Sequence, residues 1–171
     1  KPCHGIYSTK MYRKGRDFNL QYLVDHLQFV EVKDYLLFGR IPKIGSEIEK
    51  SILGKLWGCD KLKKYVVNEG EPIYYRFAGG RYFKVVTNYS NGSSAERAIF
   101  FSEKYANVIG CILSSNLSFW YYQIYSDNLN WKSCEIENTP IPPLTDDVIE
   151  RLNELYNEYL EDIEKNANKR N

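Results

Sequence analysis

The chain has 171 residues, 43% of them hydrophobic and 26% charged, with 15 Tyr, 8 Phe and 3 Trp. That supply of apolar and aromatic side chains excludes an intrinsically disordered chain and suffices for one domain, or one domain with an appendage, to close a core. The formal net charge of +1 hides an asymmetry: residues 1–134 hold 19 Lys and Arg against 12 Asp and Glu, a net of +7, whereas residues 135–171 hold 4 against 10, a net of −6.

A basic body joined to an acidic tail is the charge footprint expected of a polyanion partner. The abundant tyrosine suits half-buried sheet faces first, and also surfaces that meet bases, sugars or other proteins. Cys3, Cys59, Cys111 and Cys134 form no Cys-x-x-Cys pair. With only His4 and His26 beside them no ordinary zinc spacing arises, so reduced thiols are expected. No apolar run reaches the ~18 residues of a membrane span, and no charged-then-apolar leader is seen, so no membrane association and a cytoplasmic location are expected. Beginning at Lys1 rather than Met, the chain is expected to be a piece whose upstream portion lies elsewhere.

In chain order, Ile6 to Arg16 is expected as an exposed loop, because Lys10, Arg13, Lys14 and Arg16 crowd into a short stretch. Leu20, Leu23, Val24 and Leu27 then share a helical face, Phe29 to Val32 reads as a short strand, and Ile41-Pro-Lys-Ile-Gly45 as a turn. Ser46 with Glu49 three residues later forms a capping box, and Ile48, Ile52 and Leu56 recur at i, i+4, which predicts a helix over about 46–57. Gly54 inside it costs about 1 kcal/mol relative to Ala, a deficit that packing must offset. Ile73 to Phe77 and Arg81 to Thr87, separated by Ala78-Gly79-Gly80, predict an antiparallel hairpin. After a polar loop, Arg97 to Phe101 predicts another strand, Ser102 caps a helix to about Leu113, and Leu117 to Tyr125 is expected as an aromatic helix. Pro140-Ile-Pro-Pro143 breaks regular structure. From Asp146 onward Val148, Ile149, Leu152, Leu155, Tyr156, Tyr159, Leu160 and Ile163 keep helical spacing, predicting one long amphipathic helix. Its apolar stripe is expected to pack on its own domain, with a missing domain or partner helix as the other option.

The motifs of methyl-transfer chemistry are absent from this stretch. Gly79-Gly80 lies in a hairpin rather than at a strand-to-helix turn, and Asn138-Thr-Pro-Ile141 lacks the second proline and the aromatic ring that hold a flipped adenine amine. A metal-dependent nuclease is one alternative, with Glu31, Lys33 and Asp17 or Asp25 as its candidate residues. A histidine-dependent hydrolase has no nucleophile elbow near His4 or His26.

Taken together and in order, Ile41 to Leu53, the Tyr-Tyr-Arg-x-x-Gly-Gly-Arg-Tyr run at 74–82, Leu113-Ser-Ser-Asn116 with the aromatic helix through Ser126-Asp127, and Pro140-Ile-Pro-Pro143 resemble the C-terminal part of type II adenine-specific DNA methyltransferases, including those fused to restriction nucleases. The resemblance covers most of residues 6–165. It implies a mixed α+β target-recognition domain over residues 1–139, with an antiparallel hairpin at about 73–87 and packed helices. A proline joint and C-terminal helix follow over residues 140–171. The implied partners are double-stranded DNA and a missing catalytic domain; S-adenosylmethionine belongs to that domain, and no cofactor is expected in this chain. No motif fixes base contacts, so candidates rest on physics. Arg76, Arg81 and Lys84 stand beside the glycine turn, where arginine suits guanine and lysine suits phosphate. Lys10, Arg13, Lys14, Arg16 and Lys43 suit backbone neutralisation, Arg97 starts the next strand, and Asn128, Asn130 and Lys132 lie in a loop able to reach a groove. The alternative from another class is a protein-interaction module that uses tyrosine-rich faces and the terminal helix.

Overall fold

The computed structural model describes residues 5–10, 20–78 and 85–167. It is a mixed α+β fold with small antiparallel sheets, packed helices and a long C-terminal helix. Among the described residues no helix is long and apolar enough to cross a membrane. The chain divides into two compact units, residues 1–59 with 123–125, and residues 60–122 with 126–171.

In the first unit, strand β1 (Tyr7–Ser8) pairs antiparallel with β2 (Val30–Glu31), and Val32 N–H donates to the Ile6 carbonyl at 2.7 Å. The strand expected at 29–32 is therefore present, and its partner comes from a stretch expected to be loop. Residues 11–19, with Arg13, Lys14, Arg16 and Asp17, lie outside the described residues. Helix α1 (Leu20–Asp25) runs six residues, and its predicted apolar stripe is not buried: Leu20 and Val24 are exposed. So short a helix does not sustain itself by backbone bonding alone. Here Tyr22 stacks on the His26 ring, centroids 4.0 Å apart.

Helix α2 (Glu47–Trp57) begins where the capping box places it. The Ser46 hydroxyl accepts the Glu49 N–H at 3.2 Å, and the Glu49 carboxylate accepts the Gly45 N–H at 2.9 Å. Its buried residue is Leu53, while Ile48, the expected start of the core stripe, is 74% exposed. Periodicity located the helix but not its rotation, which buries Leu53 instead. A Cβ at Gly54 would lie 3.1 Å from the Tyr35 hydroxyl, the far end of that side chain. Tyr35 in turn meets Trp57 edge-on at 5.6 Å and accepts the Tyr125 hydroxyl on its carbonyl at 2.7 Å.

In the second unit, β3 (Asp60–Lys61) pairs with Pro140–Ile141, extended by Leu62 N–H donating to the Thr139 carbonyl at 2.9 Å. The proline stretch thus does more than interrupt structure, and Ile141 is fully buried. A proline is tolerated in so short a pairing because few ladder bonds depend on its missing N–H. Strand β4 (Val66–Arg76) pairs antiparallel with β5 (Glu96–Phe101), Ile73 opposite Ile99 and Tyr75 opposite Arg97. Among the described residues the expected hairpin partner appears as one bridge, in which Tyr74 and Thr87 exchange bonds of 2.7 and 3.0 Å. Residues 79–84, with Gly79, Gly80, Arg81 and Lys84, lie outside the described residues.

Helices α3 (Glu103–Leu113) and α4 (Asn116–Tyr125) stand where expected, but Ser102 occupies the position before α3 without a side-chain capping bond, whereas the Ser115 hydroxyl accepts the Ser118 N–H at 3.1 Å at the start of α4. A short helix, α5 (Ser133–Glu137), stands where only loop was expected. The 140–141 strand is β6, and α6 (Asp146–Asn166) opens on Thr145, which accepts the Val148 N–H at 3.4 Å. The apolar stripe of α6 packs on α3, as expected for its own domain, burying Ile149 and Tyr156. The Tyr156 hydroxyl donates to the Val86 carbonyl at 3.1 Å, and burial drives its phenol far above the ordinary range, so it stays a donor. Leu62, Ile73, Phe101, Ile109, Trp131 and Tyr156 anchor this unit's core.

Candidate nucleic-acid interface

Strand β4 ends at Arg76, and the chain returns at Glu96, so this end of the ribbon carries the 77–95 connection. Two interactions orient the arginines there. Arg76 donates through Nε to the Ala78 carbonyl at 2.8 Å, and the Arg97 guanidinium lies over the Phe77 ring, 4.2 Å from its centroid. Beyond these contacts their terminal nitrogens donate to none of the described residues. The two side chains leave opposite faces of the ribbon, because Arg76 follows the parity of Tyr74 and Arg97 pairs with the buried Tyr75.

The loop after α4 closes onto the same end. Trp131 N–H donates to the Phe77 carbonyl at 2.9 Å, and Ala78 bridges to Asn130. Burial pushes the Tyr122 phenol up to about 12, and its hydroxyl donates to the Asn130 carbonyl at 3.3 Å. Within the loop, Asp127 accepts the Lys132 ammonium at 2.9 Å, the Leu129 N–H at 2.9 Å and the Asn130 N–H at 3.1 Å. These partners, Lys132 foremost, hold the Asp127 carboxyl down at about 2. Asn128 takes a left-handed backbone, φ 60°, which asparagine tolerates better than most residues.

At this end of the ribbon a pocket of about 200 Å³ is lined by Tyr74, Tyr75, Arg76, Val85, Asn91, Ser93 and Glu96. Glu96 stands opposite Arg76 in the register and organises the loop before it, accepting the Ser90 hydroxyl and the Asn91 N–H at 3.1 Å. Gly92 follows at φ 70° and donates to the Ser90 hydroxyl at 3.0 Å.

Of the residues singled out in the sequence, Arg76, Arg97, Asn128, Asn130 and Lys132 thus gather at one end of the second unit's ribbon, with Lys132 serving as a staple of its own loop. Lys10 and Lys43 belong to the first unit, where Lys43 N–H donates to the Ile124 carbonyl at 2.9 Å. From the alternative metal-site reading, Glu31 is exposed on β2 and Asp25 ends α1. Phe77, Asp127 and Glu96 were missed. Ser126-Asp127 is a turn signal that marks Asp127, since Asp commonly caps N–H groups two or three residues on. Phe77 beneath Arg97 depends on strand register, and no local signal marks it. Compared with protein-family models, curated proteins and solved structures, the chain has no significant match in any of the three.

Proposed function

We propose that this chain reads double-stranded DNA, as the target-recognition part of an adenine-methylation system whose catalysis and S-adenosylmethionine binding belong to a separate domain. The observation that supports this best is the pair Arg76 and Arg97 at the end of a two-stranded antiparallel ribbon, each held on one side, with terminal nitrogens that donate to none of the described residues. The major groove admits a two-stranded ribbon, and the arginine fork matches the O6 and N7 acceptors of guanine. Orienting a long side chain beforehand lowers the ordering cost that binding must overcome. The net +7 of residues 1–134 supplies the sequence-independent attraction to phosphate. A protein-interaction role for the terminal helix is less well supported, because Ile149 and Tyr156 occupy its apolar face within its own unit.

The test is titration of the full chain with a randomised duplex library and selected duplexes at several salt concentrations. Affinity is expected to fall steeply with salt through counterion release. Arg97→Ala is expected to cost roughly 1–3 kcal/mol on the preferred sequence and to relax discrimination at one position. Lys64, paired with Asp60 at 2.6 Å on the surface, is the control, and Lys64→Ala should leave the preferred sequence unchanged. Binding that ignores both salt and sequence sinks the proposal.

A further inference from the structure

Resting on the DNA-reading proposal, we infer that the pocket at the Arg76–Glu96 end of the β4–β5 ribbon receives a single unstacked purine, with guanine preferred over adenine.

The lining decides the class of ligand. At about 200 Å³ the pocket is smaller than the ~300 Å³ at which sites for drug-sized ligands begin, which suits one planar ring system rather than a whole nucleotide. Tyr74 and Val85 supply an aromatic and an aliphatic wall, and stacking on an aromatic ring is the sequence-tolerant part of single-stranded base recognition. The charges in the pocket oppose one another. Arg76 disfavours a cation, whereas Glu96, held in place by the Ser90 hydroxyl and the Asn91 N–H, disfavours phosphate or carboxylate. A neutral heteroaromatic ring with acceptors on one edge satisfies both. The terminal nitrogens of Arg76 meet no described acceptor, and guanine offers O6 and N7 to such a fork. Adenine places its N6 amine, a donor, where O6 would be, so the same fork opposes it. Asn91 and Ser93 at the rim carry the neutral donors and acceptors that the remaining edge of the ring requires. A base paired in a duplex has both faces covered, so entry into a concave site requires it to leave the stack.

The experiment uses the full chain and 2′-deoxyguanosine, a neutral probe without phosphate, followed by amide NMR shifts. Saturable shifts are expected at Asn91, Ser93 and Glu96, independent of salt. Binding of 2′-deoxyadenosine should be roughly tenfold weaker, the discrimination that one bidentate pair gives. Arg76→Gln should remove that preference. Ser93→Trp, at an exposed position, should fill the mouth and abolish binding of both nucleosides while leaving the circular dichroism of the fold unchanged. A duplex with one bulged guanine should bind more tightly than its fully paired counterpart, a difference that Ser93→Trp erases. Absence of shifts at these three amides, equal binding of both nucleosides, or the same shifts from inorganic phosphate overturns the inference. If salt-dependent duplex binding persists in that case, the pocket fails alone; if it is lost too, the DNA-reading proposal fails with it.

Discussion

Gly110→Ala is the sharpest test of the second unit's packing. Gly110 lies in α3 against Tyr156 of α6, and a Cβ on it would stand 2.6 Å from the Tyr156 hydroxyl oxygen and 2.9 Å from its Cε1. The nearest ring atom is Tyr156 Cζ, and carbon atoms at optimal separation lie about 3.5–4.0 Å apart, so the ring must withdraw by more than about 1 Å. Tyr156 is fully buried and its hydroxyl is tied to the Val86 carbonyl at 3.1 Å, so withdrawal strains the core and lengthens that bond. Overpacking of this kind costs about 1–3 kcal/mol, and a weakened hydrogen bond adds up to about 1 kcal/mol. Alanine returns up to about 1 kcal/mol of helix propensity, leaving a net loss of about 1–3 kcal/mol. In a Tyr156→Leu background the ring atoms are gone, and the same substitution should become stabilising by up to about 1 kcal/mol. The assay is a four-member cycle of urea unfolding, followed by the fluorescence of Trp131, which is buried in the same cluster. A Gly110→Ala cost that is equal in both backgrounds, or no cost in the parent chain, refutes the packing argument.

Two further outcomes follow from the same kind of contact. Gly54→Ala should stabilise by up to about 1 kcal/mol, because the Cβ would meet only the far end of Tyr35 at 3.1 Å and that phenol can shift by a few tenths of an ångström; measured destabilisation would show that the phenol is fixed. Asp127 should titrate with a midpoint near 2 when its carboxyl is followed by NMR, and a midpoint near 4 would contradict the three-way capping of the loop. Because the folded carboxyl is depressed, the stability it contributes is complete above the unfolded value of about 3.8 and is lost as pH falls toward 2. Asp127 is 38% exposed, so solvent screening limits that contribution to about 1 kcal/mol.

What was legible in the sequence was whatever local chemistry determines. Ser46 with Glu49 fixes a helix start by side-chain bonds to nearby N–H groups, as read from the sequence, whereas Ser102 makes no such bond and the caps Ser115 and Thr145 were not singled out. Rotation about a helix axis is another matter. Ile48, Ile52 and Leu56 have the spacing of a core stripe, yet Leu53 takes the buried place, because burial depends on what the rest of the chain brings alongside. The strand at 73–77 was legible for the same local reason, but its principal partner was not. Tyr74 pairs on both edges, with Thr87 on one and with Ala98 of the more distant β5 on the other, and β5 brings Ile99 and Phe101 to the core beside Ile73.

The candidate site follows the same division. Charge and residue type nominated Arg76, Arg97 and Asn130, but nothing within a few residues says that Arg97 stacks on Phe77 or that Asn130 bridges to Ala78. Those contacts join positions some 20 to 50 residues apart in sequence, and they exist only because β5 lies against β4 and Trp131 is anchored on the Phe77 carbonyl. The same long-range pairing decides which cations are open. Lys132, read as a groove contact, is engaged by Asp127 five residues earlier, whereas among the described residues Arg76 is held through its Nε on the Ala78 carbonyl. A lysine in a stapled loop must give up that carboxylate before it can reach a phosphate, and the exchange of one anion for another gains little in water. An arginine that meets no carboxylate among the described residues has no such exchange to make there, so the DNA-reading proposal rests on Arg76 ahead of Lys132.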